Sequence, residues 1–292
     1  MIVALGKKTF FVVLGLILLS GAVAVQRCYD GRFLSSEQSV RELLYFPSSR
    51  VVKLLSAGNE LMVADFLWLR MIQYYAFHMH TDRNYEYLFP ITDRITDLDP
   101  RFVYPYTFGA LLLAHDASDS VNSIRLLDKA KRNNPGHWEF PYMKGFILYV
   151  FFRRSEEAVE EFLESSRMPN AWDGALRYAA FISRREGRDE VSKMMWRDIY
   201  DNTKNEVERG IALTYLRKFE IEEKLAELQD SAQRYLRQFG SWPNDLGDLV
   251  AAGYSGPVGS DSFGGRYYWD PATLLVRNTT HDRYSKFLKK KS

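Results

Sequence analysis

The chain of 292 residues contains a single cysteine, Cys28. A disulfide within the chain is therefore excluded, as is a cluster of thiolates on a metal. Charge of one sign is also missing: 39 basic residues against 37 acidic leave a formal net charge of +2. General nucleic-acid binding normally brings a strong basic excess, so no nucleic-acid partner is expected. The glycine, serine and histidine motifs of acyl transfer, zinc hydrolysis, phosphate cradling and dinucleotide binding do not occur. No catalytic residue, cofactor site or metal site is predicted, and the chain reads as a non-enzyme. A cell-wall enzyme would need a nucleophile or an acid pair for which the sequence offers no candidate.

Long apolar runs are scarce too. Residues 9–25 form one uncharged stretch behind Lys7 and Lys8. It is short for a bilayer-spanning helix. Ala22 and Ala24 would suit cleavage of a signal peptide. The preferred alternative is an uncleaved anchor, its lysines held in the cytoplasm. On that reading residues 1–30 are a transmembrane anchor and the body is periplasmic, giving a single-pass inner-membrane protein. Cys28 follows Val25-Gln26-Arg27, which does not resemble a lipidation site.

What the sequence does have is aromatic residues, at 15%, and a recurring phrase. Pro100, Pro135 and Pro169 lie 35 and 34 residues apart. Each is followed by an aromatic-rich half, a short polar turn and a charged half. A helix–turn–helix repeat has this period. Residues 31–220 are accordingly expected to form a helical repeat domain, an α-solenoid, with its clearest repeats over 100–204. A degenerate first pair precedes them. Residues 50–78 read as a helix that Gly58 kinks or divides, with apolar residues on more than one stripe, so burial on more than one side is expected. Residues 84–98 read as its partner, with Pro90 kinking the helix or marking a later start. A short helix is expected over 35–44.

Residues 205–239 read as one long helix with a single apolar seam through Ile221, Leu225, Leu228, Ala232, Tyr235 and Phe239. Such a seam caps the repeats or pairs with a partner's helix. After Gly240 the composition turns to glycine and turn residues. A short helix is expected over 244–252, and strands over 266–269 and 274–277 joined at Asp270-Pro271-Ala272-Thr273. The basic tail 286–291 is expected to fray. Residues 221–292 thus form a small α+β module on a mainly α protein.

First helices line the concave side of a repeat array. Tyr104, Tyr106, Trp138, Tyr142, Lys144, Trp172, Arg177 and Tyr178 are the candidate partner-binding residues, because rings and arginine dominate binding hot spots. Phe140 and Asp173 lie on the same stretches. Asp65, Trp68, Arg70 and Gln73 interrupt an apolar helix and are expected to pair as a structural polar cluster, or to touch a membrane partner. His78 and His80, two apart on a helix, point about 200° from one another and suit a helix end better than a metal. Asp97 and Asp99 fit an acidic helix terminus. Glu156, Glu157, Glu160, Glu161 and Glu164 make an acidic face, solvated or offered to a basic partner.

Two resemblances follow. Residues 101–204 resemble tetratricopeptide repeats, with Leu127, Ala130 and Pro135, then Ala158, Phe162 and Pro169, in the second-helix positions. Gly109 and Gly145 take the small position of the first helices. Residues 43–220 are similar to a group of bacterial membrane-anchored repeat proteins, most of all in LLSAGNELMVADFLWLRMIQYY and LDPRFVYPYTFGALLL. The tail resembles the globular end of type II secretion major pseudopilins through Gly240, Pro243, Leu246, Leu249, Gly253, Asp261, Phe263, Gly264 and Tyr267. Ser262 stands where that family has proline, and the calcium-carrying loop is missing, so no calcium is predicted. The resemblances imply a scaffold or assembly factor for other envelope proteins, part of a multiprotein complex. The alternative they imply is an accessory subunit of a pilus-like or export machine.

Overall fold

A computed structural model describes residues 17, 19–21, 23–25, 27 and 49–289. The protein is mainly helical, with one small sheet among the described residues. It divides into two compact units, Met1–Pro135 and Gly136–Ser292.

In the first unit the described helices are α1 (Ser49–Ser56), α2 (Glu60–His80), α3 (Leu88–Leu98), α4 (Val103–His115) and α5 (Ser120–Asn133). The division at Gly58 has a local cause. Ala57 and Gly58 are both left-handed, at φ 49° and 90°, which no helix continues through. Asn84 and Glu86 sit in side-chain turns built on Asp82 and Asn84, so the third helix starts later than 84. Pro90 then falls in its first turn, where no backbone donor is needed. Leu67 and Met71 of α2, Leu88, Ile91 and Ile95 of α3, and Tyr106 and Leu113 of α4 are buried as the core. Lys129 on α5 closes this unit by reaching Asp93 and Asp97 of α3 at 2.7 and 2.6 Å.

In the second unit α6 (Glu139–Val150), α7 (Ser155–Ser166), α8 (Gly174–Arg185), α9 (Asp189–Asn202) and α10 (Glu206–Phe239) each pack on the next. Trp196, stacked on Tyr215 at 4.1 Å, anchors α9 to α10 with Ile199, Ala212 and Leu216 around it. The chain then makes α11 (Leu246–Ala251), β1 (Tyr267–Asp270), β2 (Leu275–Asn278) and α12 (Thr279–Lys289). The strands are antiparallel, with Tyr268 opposite Arg277 and Trp269 opposite Val276. Each begins one residue later than the sequence suggests. α12 lies where the sequence marks no element until the basic tail at 286: Asn278 is buried, and its carboxamide oxygen accepts from His281 N at 2.8 Å, capping the helix.

One turn recurs. Ser118, Arg153 and Gly187 are left-handed at φ 52°, 54° and 74°, just before the first residues of the second helices. The residue after each donates its amide back across the helix end: Asp119 to Leu113 O, Arg154 to Leu148 O and Arg188 to Ser183 O, at 2.8, 2.9 and 2.9 Å. This satisfies helix carbonyls that would otherwise be orphaned. The turns lie 35 and 34 residues apart, the spacing of the prolines. Ser123 and Ser192 hydroxyls bond the carbonyls of Ala110 and Ala180 in the helix before. In between, Ala158 stands beside Gly145, where a Cβ would come within 3.1 Å of the Ala158 carbonyl.

One expectation is corrected. Among the described residues no helix is long and apolar enough to cross a membrane, so the single-pass inner-membrane assignment does not stand. α2 has the length, 21 residues, but carries Glu60, Asp65, Arg70 and two histidines. Most of 9–25, on which that assignment rested, and the helix expected over 35–44 lie outside the described residues.

Candidate partner-binding face

The predicted partner-binding residues divide between the units. In the first, Tyr104 opens α4 and is 70% exposed. Tyr106, two residues on, points the other way and is fully buried. Its hydroxyl accepts from Asn133 Nδ2 at 2.8 Å and lies 3.3 Å from Pro100 O, so it joins α4 to its neighbours and is out of a partner's reach. That placement corrects the expectation for Tyr106.

In the second unit the remaining residues converge. Tyr142, on α6, is ringed by Trp138, Phe162, Trp172 and Tyr178, with centroids 6.0, 5.5, 5.4 and 6.2 Å away. Tyr178, on α8, stacks on Phe162 at 5.3 Å and 16°. Trp172 forms the rim and is 40% exposed. Its ring lies across Gly174, where a Cβ would overlap the ring carbons, so only glycine lets α8 begin under it. Arg177 spreads its guanidinium over Trp172 and Tyr178, 5.4 and 5.9 Å from their centroids. Its Nη1 is 3.4 Å from Glu208 Oε1. Edge-on rings and a stacked arginine are favourable pairings beyond their burial.

Burial pushes the Tyr142 phenol up to about 12, with Tyr178 adding to the rise, so it stays a neutral donor at ordinary pH. Lys144 is not offered to a partner: its ammonium is 2.7 Å from Glu161, and both side chains are largely buried. That pair also takes Glu161 out of the predicted acidic face. Two residues of this face were not singled out in advance. Gly174 gave no signal beyond its identity. Glu208 did give one, three residues after the capping Asn205, whose Oδ1 accepts from Val207 N and Glu208 N. It is nevertheless buried, and among the described residues its Oε2 finds no hydrogen-bond partner.

The other predicted groups separate. Asp65 and Gln73 are exposed, Arg70 lies over Phe66 at 5.3 Å, and Trp68 meets Phe102 and Phe108 edge-on at 5.7 and 5.9 Å. They occupy different sides of α2 and form no buried cluster. His78 is buried with Nδ1 2.5 Å from Asp82, while His80 is exposed. Asp97 accepts from Ser49 and Lys129. Burial raises its affinity for a proton, but those two donors outweigh it and hold the carboxyl below its ordinary range. A polar cavity of about 260 Å³ opens between Arg83, Glu86, Phe89 and Asp116. Two of its three acids are already engaged: Asp116 accepts from Tyr75 at 3.1 Å, and Asp119 caps α5.

No protein-family model matches the sequence, and a search of curated proteins finds no match.

Proposed function

We propose that this chain is a protein–protein interaction scaffold, and that the aromatic face of its second unit is where a partner docks. The helix pairs over 103–202 serve as tetratricopeptide-like repeats in this reading. The observation that carries it is Trp172, a large ring left 40% exposed beside a guanidinium, on a floor of packed aromatics. A partner segment bringing an apolar side chain to Trp172 and a carboxylate to Arg177 would meet complementary chemistry. The recurrence of one turn geometry at 35 and 34 residues supports the repeat reading.

Site-specific photo-crosslinking tests it. A crosslinker at position 172 is expected to trap one discrete protein, and one at the buried Tyr106 none. Trp172→Ala and Arg177→Glu are each expected to weaken capture at least about 10-fold, the size of a hot-spot loss. Undiminished capture by both variants would sink the proposal.

The second reading is an accessory subunit of a secretion-like machine. The tail favours it by a specific geometry: Gly240, Gly253 and Gly264 are left-handed, and Leu246 and Leu249 are buried, all at positions of the pseudopilin-like pattern. Replacing loop 255–265 while keeping Trp269 and Val276 separates the readings. Loss of partner capture from that change alone would favour the second.

A further inference from the structure

α2 is apolar on both sides. One side is spent: Ala64, Leu67, Met71, Tyr74 and His78 are buried. The other is bare. Leu61, Met62, Phe66 and Leu69 are 62, 67, 57 and 59% exposed. A solvated helix face normally carries charge. Together these four leave on the order of 500 Å² of apolar surface bare, more than half of the roughly 800 Å² per partner in a standard interface, and Val51, Leu54 and Leu55 of α1 are exposed as well. A patch of that extent marks a contact surface.

We propose that a second copy of this chain covers it, the two α2 helices running antiparallel about a two-fold axis at Leu69. The argument is self-complementarity. Met62, Phe66, Leu69, Gln73 and Ala76 recur at spacings of four, three, four and three, a heptad-like seam centred on Leu69. In an antiparallel pair, a residue n before Leu69 meets the residue n after it on the other copy. Met62 then faces Ala76, large against small. Phe66 faces Ile72. Asp65, the one carboxylate in the middle of this face, meets the amide of Gln73, and symmetry makes that contact twice. A parallel, in-register pair would set Asp65 against Asp65, which like-charge repulsion disfavours. A bilayer would take up the same apolar side chains but would leave Asp65 without a partner at a high cost.

The test uses the full chain. Sedimentation is expected to show a dimer that dissociates on dilution. Leu69→Asp is expected to raise the dissociation constant at least about 30-fold with an unchanged helical spectrum, since Leu69 is 59% exposed among the described residues. A monomeric wild type, or a dimer indifferent to Leu69→Asp, would overturn the proposal. On a Cys28→Ser background, Asp65→Cys chains mixed with Gln73→Cys chains are expected to form a mixed disulfide, with little formed by Asp65→Cys alone. The reverse pattern would overturn the antiparallel arrangement. Co-sedimentation of a monomeric wild type with phosphatidylglycerol vesicles, lost in Leu69→Asp, would assign the face to lipid instead.

Discussion

α2 and α10 face the same problem and meet it differently. Each carries more apolar surface than one neighbouring helix can cover. α10 lays its first half on α9 and has its second half, through Leu228 and Ala232, covered by Leu246, Leu249, Trp269 and Val276 of the module that follows. α2 has α3 on one side, while Leu61, Met62, Phe66 and Leu69 stay more than half exposed, with Arg70 of the same helix laid over the Phe66 ring. A seam that looks alike in sequence is a folding surface in one helix and an assembly surface in the other. What differs is whether the described residues supply a lid.

The comparison breaks if removing the lid from α10 is harmless. Trp269 is 7% exposed and stacks on Trp242 at 5.4 Å. Trp269→Ala is expected to cost about 3–5 kcal/mol, read from denaturant unfolding of the chain. Next in size, Gly174→Ala must push the Trp172 ring off α8. An overpacked site of this kind loses about 1–3 kcal/mol, and partner capture should fall with it. A smaller effect is expected in the first unit, from Asp97. Its folded carboxyl lies below the ordinary value, so its contribution is complete above about pH 4 and is lost as pH falls through the folded value. Asp97→Asn should remove that acid-dependent part, no more than about 1 kcal/mol because the group is a third exposed, and flatten the stability curve below about pH 4. The smallest change in fold stability is expected from Leu69→Asp, within about 0.5 kcal/mol when measured at concentrations where the chain is monomeric. A collapse of the monomer instead would mean that α2's bare side is part of the fold after all.

Much of the helical order was legible because its signals are local. Gly58 divides a helix, Asn205 starts one and Gly240, left-handed at φ 74°, stops it. The two strands were visible as short aromatic and aliphatic runs around a proline turn. α12 was not, because its cap, Asn278, is also the last residue of β2 and carries no separate mark. The convergence of Trp138, Tyr142, Trp172, Arg177 and Tyr178 followed from the repeat period. The exclusion of Tyr106 did not, since two residues on one helix turn differ by about 200° in direction and composition does not say which is inward. The sequence predicts burial for the bare side of α2 because apolar residues call for cover without naming the molecule that provides it. Asp65 and Gln73, which the sequence groups with Trp68 and Arg70 in a polar cluster, are instead exposed polar members of that outer face.

Trp172 has one further use. Of the six tryptophans, Trp196 and Trp269 are enclosed, Trp68, Trp138 and Trp242 are half-buried, and Trp172 is exposed. Its emission should therefore dominate the quenchable fluorescence. Because Arg177 lies over its ring, iodide should reach it more readily than caesium does. A docking partner would shield it from both ions, so the protein carries its own optical gauge of occupancy, without any label.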